Sequence, residues 1–89
     1  MANEEQLSIV VSKAELALLK KLDLPSSEEI LASALVVEEG IEIFGGRVDF
    51  ESLAGWVASE ANHSRSVRQA ELLDNVLAEL ESALLCANR

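Results

Sequence analysis

Apolar and polar residues alternate with a helical period over most of the chain, and several of these stretches open with helix N-terminal signals. Ser12 with Glu15 and Ser26 with Glu29 form the S-x-x-E pattern of a capping box. In such a box a hydroxyl and a carboxylate bind backbone amides of the first helical turn. The first box predicts a helix from Ser12 to about Leu22, and the second predicts a helix that begins at Ser26.

The end of the second predicted helix is ambiguous. Gly40 suits the position just after a helix, which favours an end near Glu39, although the apolar period also allows a helix that reaches Phe44. Residues 41–48 alternate around a glycine pair in a hairpin pattern, and the β-branched run at 7–11 suits a short strand. We therefore expect a short hairpin or strand pair formed by these two segments beside the helices.

The second half of the chain carries two apolar stripes that point in different directions. Projected at about 100° per residue, the stripes over 50–61 and 69–87 lie roughly 160° apart. Asp49 and Ser66 are candidate N-caps for the two stretches. Either the chain breaks at 62–66, a run of weak helix formers, or a single helix of about 38 residues packs its second half on another chain. The break is slightly favoured.

The composition indicates that the small core of one chain needs an additional source of stability, such as a partner subunit. The chain has 89 residues, of which 49% are hydrophobic, and a chain of this length buries only about 60% of its unfolded surface. A single cysteine and a single histidine exclude an internal disulfide and a His/Cys zinc cluster within one chain. The sequence therefore predicts a homodimer through the apolar stripe of the last helix: Leu73, Val76, Leu77, Leu80 and Leu84.

Charge and hydropathy restrict the partners and the compartment. The formal net charge is −9, from 16 acidic and 7 basic residues, which disfavours binding to nucleic acid or to anionic membrane surfaces. The first residues are polar and acidic, and no run approaches the roughly 18 apolar residues of a membrane span. We expect one cytoplasmic domain over residues 1–89, with a disordered tail at 1–6. Its expected fold is mainly α, a small bundle of three or four helices with the short β element.

Glu60 and His63 are the one pair with recognisable chemistry. Their spacing places a carboxylate and an imidazole on one side of a helix, and it resembles the E-x-x-H ligand pair of ferritin-like di-iron bundles. The resemblance covers four residues and implies a metal site completed by Glu38 or Glu42 in a two-chain assembly. The alternative is that Glu60 pairs with a nearby arginine and His63 bonds at a helix end. The alternative is favoured, and the sequence predicts no metal site.

These observations favour a non-enzymatic protein-interaction or regulatory module without a cofactor, which forms a homodimer or binds another protein. Cys86 sits beside leucines near the C-terminus, where a thiol behaves as a small hydrophobe. Two other functions remain open. One is the ferritin-like metal-binding dimer, and the other is an acidic mimic of nucleic acid phosphates that binds a basic partner protein.

Overall fold

The structure is a computed structural model that describes residues 6–24 and 28–87. Helices make up 67% of it, and a three-stranded antiparallel sheet forms a second layer. The elements in chain order are β1 (Gln6–Val11), α1 (Lys13–Leu22), α2 (Glu28–Ala32), β2 (Leu35–Val37), β3 (Gly40–Gly46), α3 (Arg47–His63) and α4 (Val67–Ala87). The prediction of a small helical bundle is therefore wrong, because the helices pack on a sheet and not only on one another.

The helix α1 begins where its capping box predicts. Glu15 N–H donates to the Ser12 hydroxyl at 3.1 Å, and Ser12 N–H donates to the Glu15 carboxylate at 2.9 Å. The helix ends at Asp23, whose φ of 50° is left-handed. Leu16, Leu18 and Leu19 are buried, so this short helix is held by packing as well as by its cap. The cap predicted at Ser26 lies outside the described residues, as do residues 1–5 of the expected tail.

The prediction that the second helix runs to about Glu39 is wrong. The helix α2 ends at Ala32, and β2 follows it directly. Phe44 N–H donates to the Ser33 hydroxyl at 2.9 Å, and the same hydroxyl lies within bonding distance of the Ile30 carbonyl. This contact ties the end of the helix to β3, and the β-branched pair Val36–Val37 then favours an extended backbone.

The expected hairpin around Gly45 and Gly46 is also absent, because β3 continues through both glycines while it pairs with β1. The turn lies between β2 and β3 instead. At Gly45 a Cβ would stand 2.8 Å from Phe50 Cε1, so close packing of α3 against the strand explains this glycine. A Cβ at Gly40, where φ is +154°, would stand 2.6 Å from the Val11 carbonyl oxygen.

The helices α3 and α4 fold back on each other across the weak helix formers at 64–66. The helix α3 begins at Arg47, two residues before the predicted cap at Asp49, since β3 runs directly into it. The cap at Ser66 is confirmed, because Gln69 N–H donates to its hydroxyl at 3.2 Å. The break of the long helical stretch is thus confirmed, and it turns the two apolar stripes toward a common core.

One face of the sheet forms the floor of that core. In the order β1-β3-β2, Ile9 pairs with Ile43 and Val11 with Ile41, and all four side chains are buried. They belong to the same cluster as Phe50 and the buried leucines of the helices. All four helices contribute to this cluster, which leaves the opposite sheet face outside the core.

Candidate protein-binding groove

The leucine stripe predicted as a dimer interface lies inside the chain's own core. Leu73, Val76 and Leu80 are 2%, 1% and 0% exposed. Leu77 and Leu84 are partly buried against the same cluster. The side chains that the sequence assigned to a second copy therefore belong to a core cluster shared with α1, α3 and β1 of the same chain. A dimer through them would require α4 to leave the core.

The structure does not bring together the ligands of the di-iron alternative. The His63 Nδ1 lies 2.8 Å from the Ser59 carbonyl oxygen, which can only accept, so Nδ1 carries the proton and caps the end of α3. Glu38 lies in the turn before β3 and Glu42 lies in β3, not in a helix. Within the described residues no group of three His, Cys, Asp or Glu side chains is placed to hold a metal.

The sheet face opposite the helices is small and mixes apolar side chains with Ser8 and Glu42. Val10 pairs with Glu42, Leu35 pairs with Glu42, and Ser8 pairs with Phe44, so these side chains share that face. Leu35 is 55% exposed, and Val10 and Phe44 are partly exposed and outside the core cluster. Two strands of about 20 Å and one of about 10 Å, spaced about 4.8 Å apart, offer roughly 250 Å². A stable interface needs about 800 Å² per partner, so this face alone does not supply one.

Both outer strands of the sheet have a free edge, and the two edges differ. The strand β2 is three residues long, and short edge strands are poor templates for pairing. The strand β1 has six residues without a charge, a proline or a bulge, and among the described residues it pairs with β3 alone. Alternate residues of β1 must therefore direct their backbone N–H and C=O groups away from the sheet.

A groove of about 400 Å³ runs along this free edge. One wall is formed by four consecutive residues of β1, Gln6–Ile9, and the other by the C-terminal half of α4 through Glu79, Ser82, Ala83 and Cys86. Side chains of consecutive strand residues point to opposite faces, so a hollow lined by four in a row follows the backbone edge. The other edge of β1 is occupied by β3, which places the groove on the unpaired side.

The stretch of α4 that forms the helical wall of the groove has acidic but no basic residues. From Gln69 to Ala87 the sequence contains four acidic residues and no lysine or arginine. The strand β1 has no charged residue, and Glu4 and Glu5 precede it. Glu79 is exposed on the groove wall, and no described basic residue forms an ion pair with it. Its carboxylate is therefore available to a ligand.

The groove has no arrangement for nucleophilic catalysis. Cys86 is exposed on its wall, and the single histidine, His63, lies at the far end of the helical hairpin. Cys86 is 19 residues beyond Val67, where α4 begins, which corresponds to about 29 Å along the helix. A thiol and an imidazole at this separation cannot exchange a proton directly.

The groove was not predicted from the sequence, although the sequence of β1, which forms one of its walls, contains a signal of an unpaired edge. The run at 7–11 indicated a strand, and the absence of charge within it is the mark of an unprotected edge. That α4 lies beside this edge depends on a contact between segments about 75 residues apart. No local pattern reports such a contact.

No protein-family model, no curated protein and no solved structure matches this chain. No helix among the described residues is long and apolar enough to cross a membrane.

Proposed function

We propose that this protein is a non-enzymatic interaction module that binds an extended segment of another protein as a fourth strand along β1. The observation that carries the proposal is the groove between Gln6–Ile9 and α4. It joins an unpaired strand edge to a helical wall, which is the arrangement used when a peptide is added to a sheet. The cytoplasm, where an exposed thiol such as Cys86 stays reduced, is the compartment we propose.

In this arrangement, backbone hydrogen bonds and side-chain contacts would contribute separately to recognition of the added strand. Three of the six residues of β1 would exchange hydrogen bonds with the added strand, and these bonds are insensitive to sequence. Side chains on one face of the added strand would contact Ala83 and Cys86 of α4. Those on the other face would extend the partly exposed surface of Val10 and Phe44. Small groove residues leave room for branched side chains.

A second copy of this chain could use the same edge, with β1 pairing to β1 across a two-fold axis. The homodimer expected from the sequence would then have a different interface from the predicted leucines. Charge disfavours this assembly, because each copy carries −9 and the two copies of Glu79 would lie on the same junction. We therefore place a different protein in the groove.

The experiment uses the intact protein and a neutral probe. A terminally blocked peptide of about eight residues that alternates threonine and valine, with two glutamines, is titrated into the ¹⁵N-labelled protein. We expect chemical-shift changes at Gln6–Ile9 and at Ala83 and Cys86. Two further peptides carry N-methyl groups on the odd or the even residues, which removes one set of backbone donors without changing charge.

At least one N-methylated peptide should lose binding if the peptide pairs with β1, because only one edge of an added strand faces it. Equal binding by all three peptides, or shifts confined to other surfaces, would overturn the proposal. Ser82→Trp should fill the groove and weaken binding, whereas Ala78→Trp, exposed on the same helix but outside the groove, should leave it unchanged.

A further inference from the structure

The partner segment can be specified further by its charge. Resting on the proposed function, we infer that the groove selects an extended segment that carries lysine or arginine beside its apolar residues. Neutral strands would pair with β1 through the same backbone bonds, so the selectivity has to come from the groove wall and its surroundings. The charged residue of that wall is acidic.

On the helical side, Glu79 is the charged residue that lines the groove, and it is exposed. Among the described residues its carboxylate has neither a hydrogen bond nor an ion pair, so a cationic side chain would displace no existing partner. A lysine or arginine on the helix-facing side of the added strand reaches this carboxylate while its alkyl stem packs along Ala83. The contact therefore favours a long basic side chain over a short polar one.

The direction of α4 adds to the same preference. The helix ends at Ala87, one residue after the groove residue Cys86, so its terminal carbonyl groups lie close to the end of the groove. These carbonyls carry a partial negative charge of about half an electron, and the last turn contains no basic residue that would offset it. A cationic residue at that end of the added strand is stabilised, whereas an anionic residue is repelled.

On the strand side, the groove residues Gln6–Ile9 carry no charge. The basic residues of the described chain lie elsewhere: on α1, at the start of α3 and around the turn between α3 and α4. Among the described residues, the charge that lines the groove is thus negative, which also raises the association rate of a cationic segment. An acidic segment, including a second copy of this chain, meets like charge.

The test compares three peptides on the intact protein. All share the alternating threonine–valine frame, and their two variable positions carry lysine, glutamine or glutamate. Each exposed ion pair is worth about a factor of three, so the lysine peptide should bind about tenfold more tightly than the glutamine peptide. The glutamate peptide should bind most weakly. Added salt should reduce the difference between the lysine and glutamine peptides.

Two charge reversals on α4 locate the effect. Glu79→Lys should weaken the lysine peptide about tenfold and leave the glutamine peptide nearly unchanged. Glu81→Lys makes the same charge change at an exposed position outside the groove, and it should alter either affinity by less than about twofold. Circular dichroism of both variants reports whether the helix is retained.

The outcomes separate this inference from the proposed function. Equal binding of the lysine and glutamine peptides, with shifts at β1, would overturn the basic preference and leave strand addition standing. Lysine-peptide binding that survives both N-methylation patterns or perturbs other acidic surfaces would overturn the inference as nonspecific attraction. No shift at β1 with any peptide would overturn both. A dimer of the free protein by sedimentation, with the β1 amides already protected from exchange, would assign the edge to a second copy.

Discussion

Truncation of Leu80 tests whether the apolar stripe of α4 belongs to the core of one chain or to an interface between chains. Leu80 is 0% exposed within the single chain. Replacing a fully buried leucine by alanine removes its contacts and leaves a cavity, at a cost of about 2.7–5 kcal/mol. Leu80 belongs to the main core cluster, so we expect Leu80→Ala to cost about 3 kcal/mol, near the lower end of this range.

That loss is large for a protein of this size. Small domains have total stabilities of roughly 0.05–0.15 kcal/mol per residue, so about 3 kcal/mol is roughly a fifth to two thirds of what 89 residues supply. With an unfolding entropy of about 2.1 cal/mol/K per residue, the melting temperature should fall by about 16 °C. Leu85→Ala is the matched control, because Leu85 lies on the same helix and is 73% exposed. It should change the free energy of unfolding by less than about 0.5 kcal/mol.

The assay is thermal unfolding followed by circular dichroism over about a hundredfold range of protein concentration. If unfolding also dissociates a dimer, the melting temperature rises with protein concentration. The melting temperature of a monomer does not depend on protein concentration. We expect the Leu80→Ala shift to be the same at all concentrations. A shift that shrinks as the concentration rises, or a Leu85→Ala effect as large as that of Leu80→Ala, would refute the assignment of this stripe to the core.

Two further predictions concern contacts of the strand β3. Gly45→Ala should destabilise the protein by about 1–3 kcal/mol, since its Cβ would stand 2.8 Å from Phe50, whereas Gly55→Ala in the open middle of α3 should stabilise it by up to about 1 kcal/mol. Opposite signs in chemical denaturation would support this packing, and equal signs would contradict it. Ser33→Ala should lower the free energy of unfolding by about 1–3 kcal/mol, because the Phe44 N–H loses its acceptor. Hydrogen exchange at the Phe44 amide should accelerate. Unchanged protection of that amide would count against the hydrogen bond.

The features predicted correctly from the sequence are those determined by neighbouring residues. The capping box of Ser12 and Glu15 and the cap at Ser66 operate within three or four residues, so their patterns carry over directly into the structure. The break at 62–66 follows from the weak helix formers there and from the change in direction of the apolar stripe. Each of these signals is complete within a short window.

The errors have a common cause in contacts between distant segments. The helix α2 stops at Ala32 because the Ser33 hydroxyl meets Phe44 on another strand, which no window around Ser33 contains. The apolar surplus that suggested a second copy is taken up by the sheet: Leu73 and Leu80 share one cluster with Ile9 and Ile43. An underestimated sheet thus led to the prediction of a helical bundle.

Each outer strand of the sheet leaves one rim of backbone groups unpaired among the described residues, and the β1 and β2 rims are not equivalent. If the β1 rim of one copy joined the β2 rim of the next, the contact would never close into a ring of fixed size and would propagate as a filament. The isoelectric point of about 4.4 leaves every copy strongly anionic near neutrality, so copies repel one another before their rims can meet. The abundant carboxylates therefore add a like-charge barrier to the open-ended stacking of copies that the short β2 already disfavours.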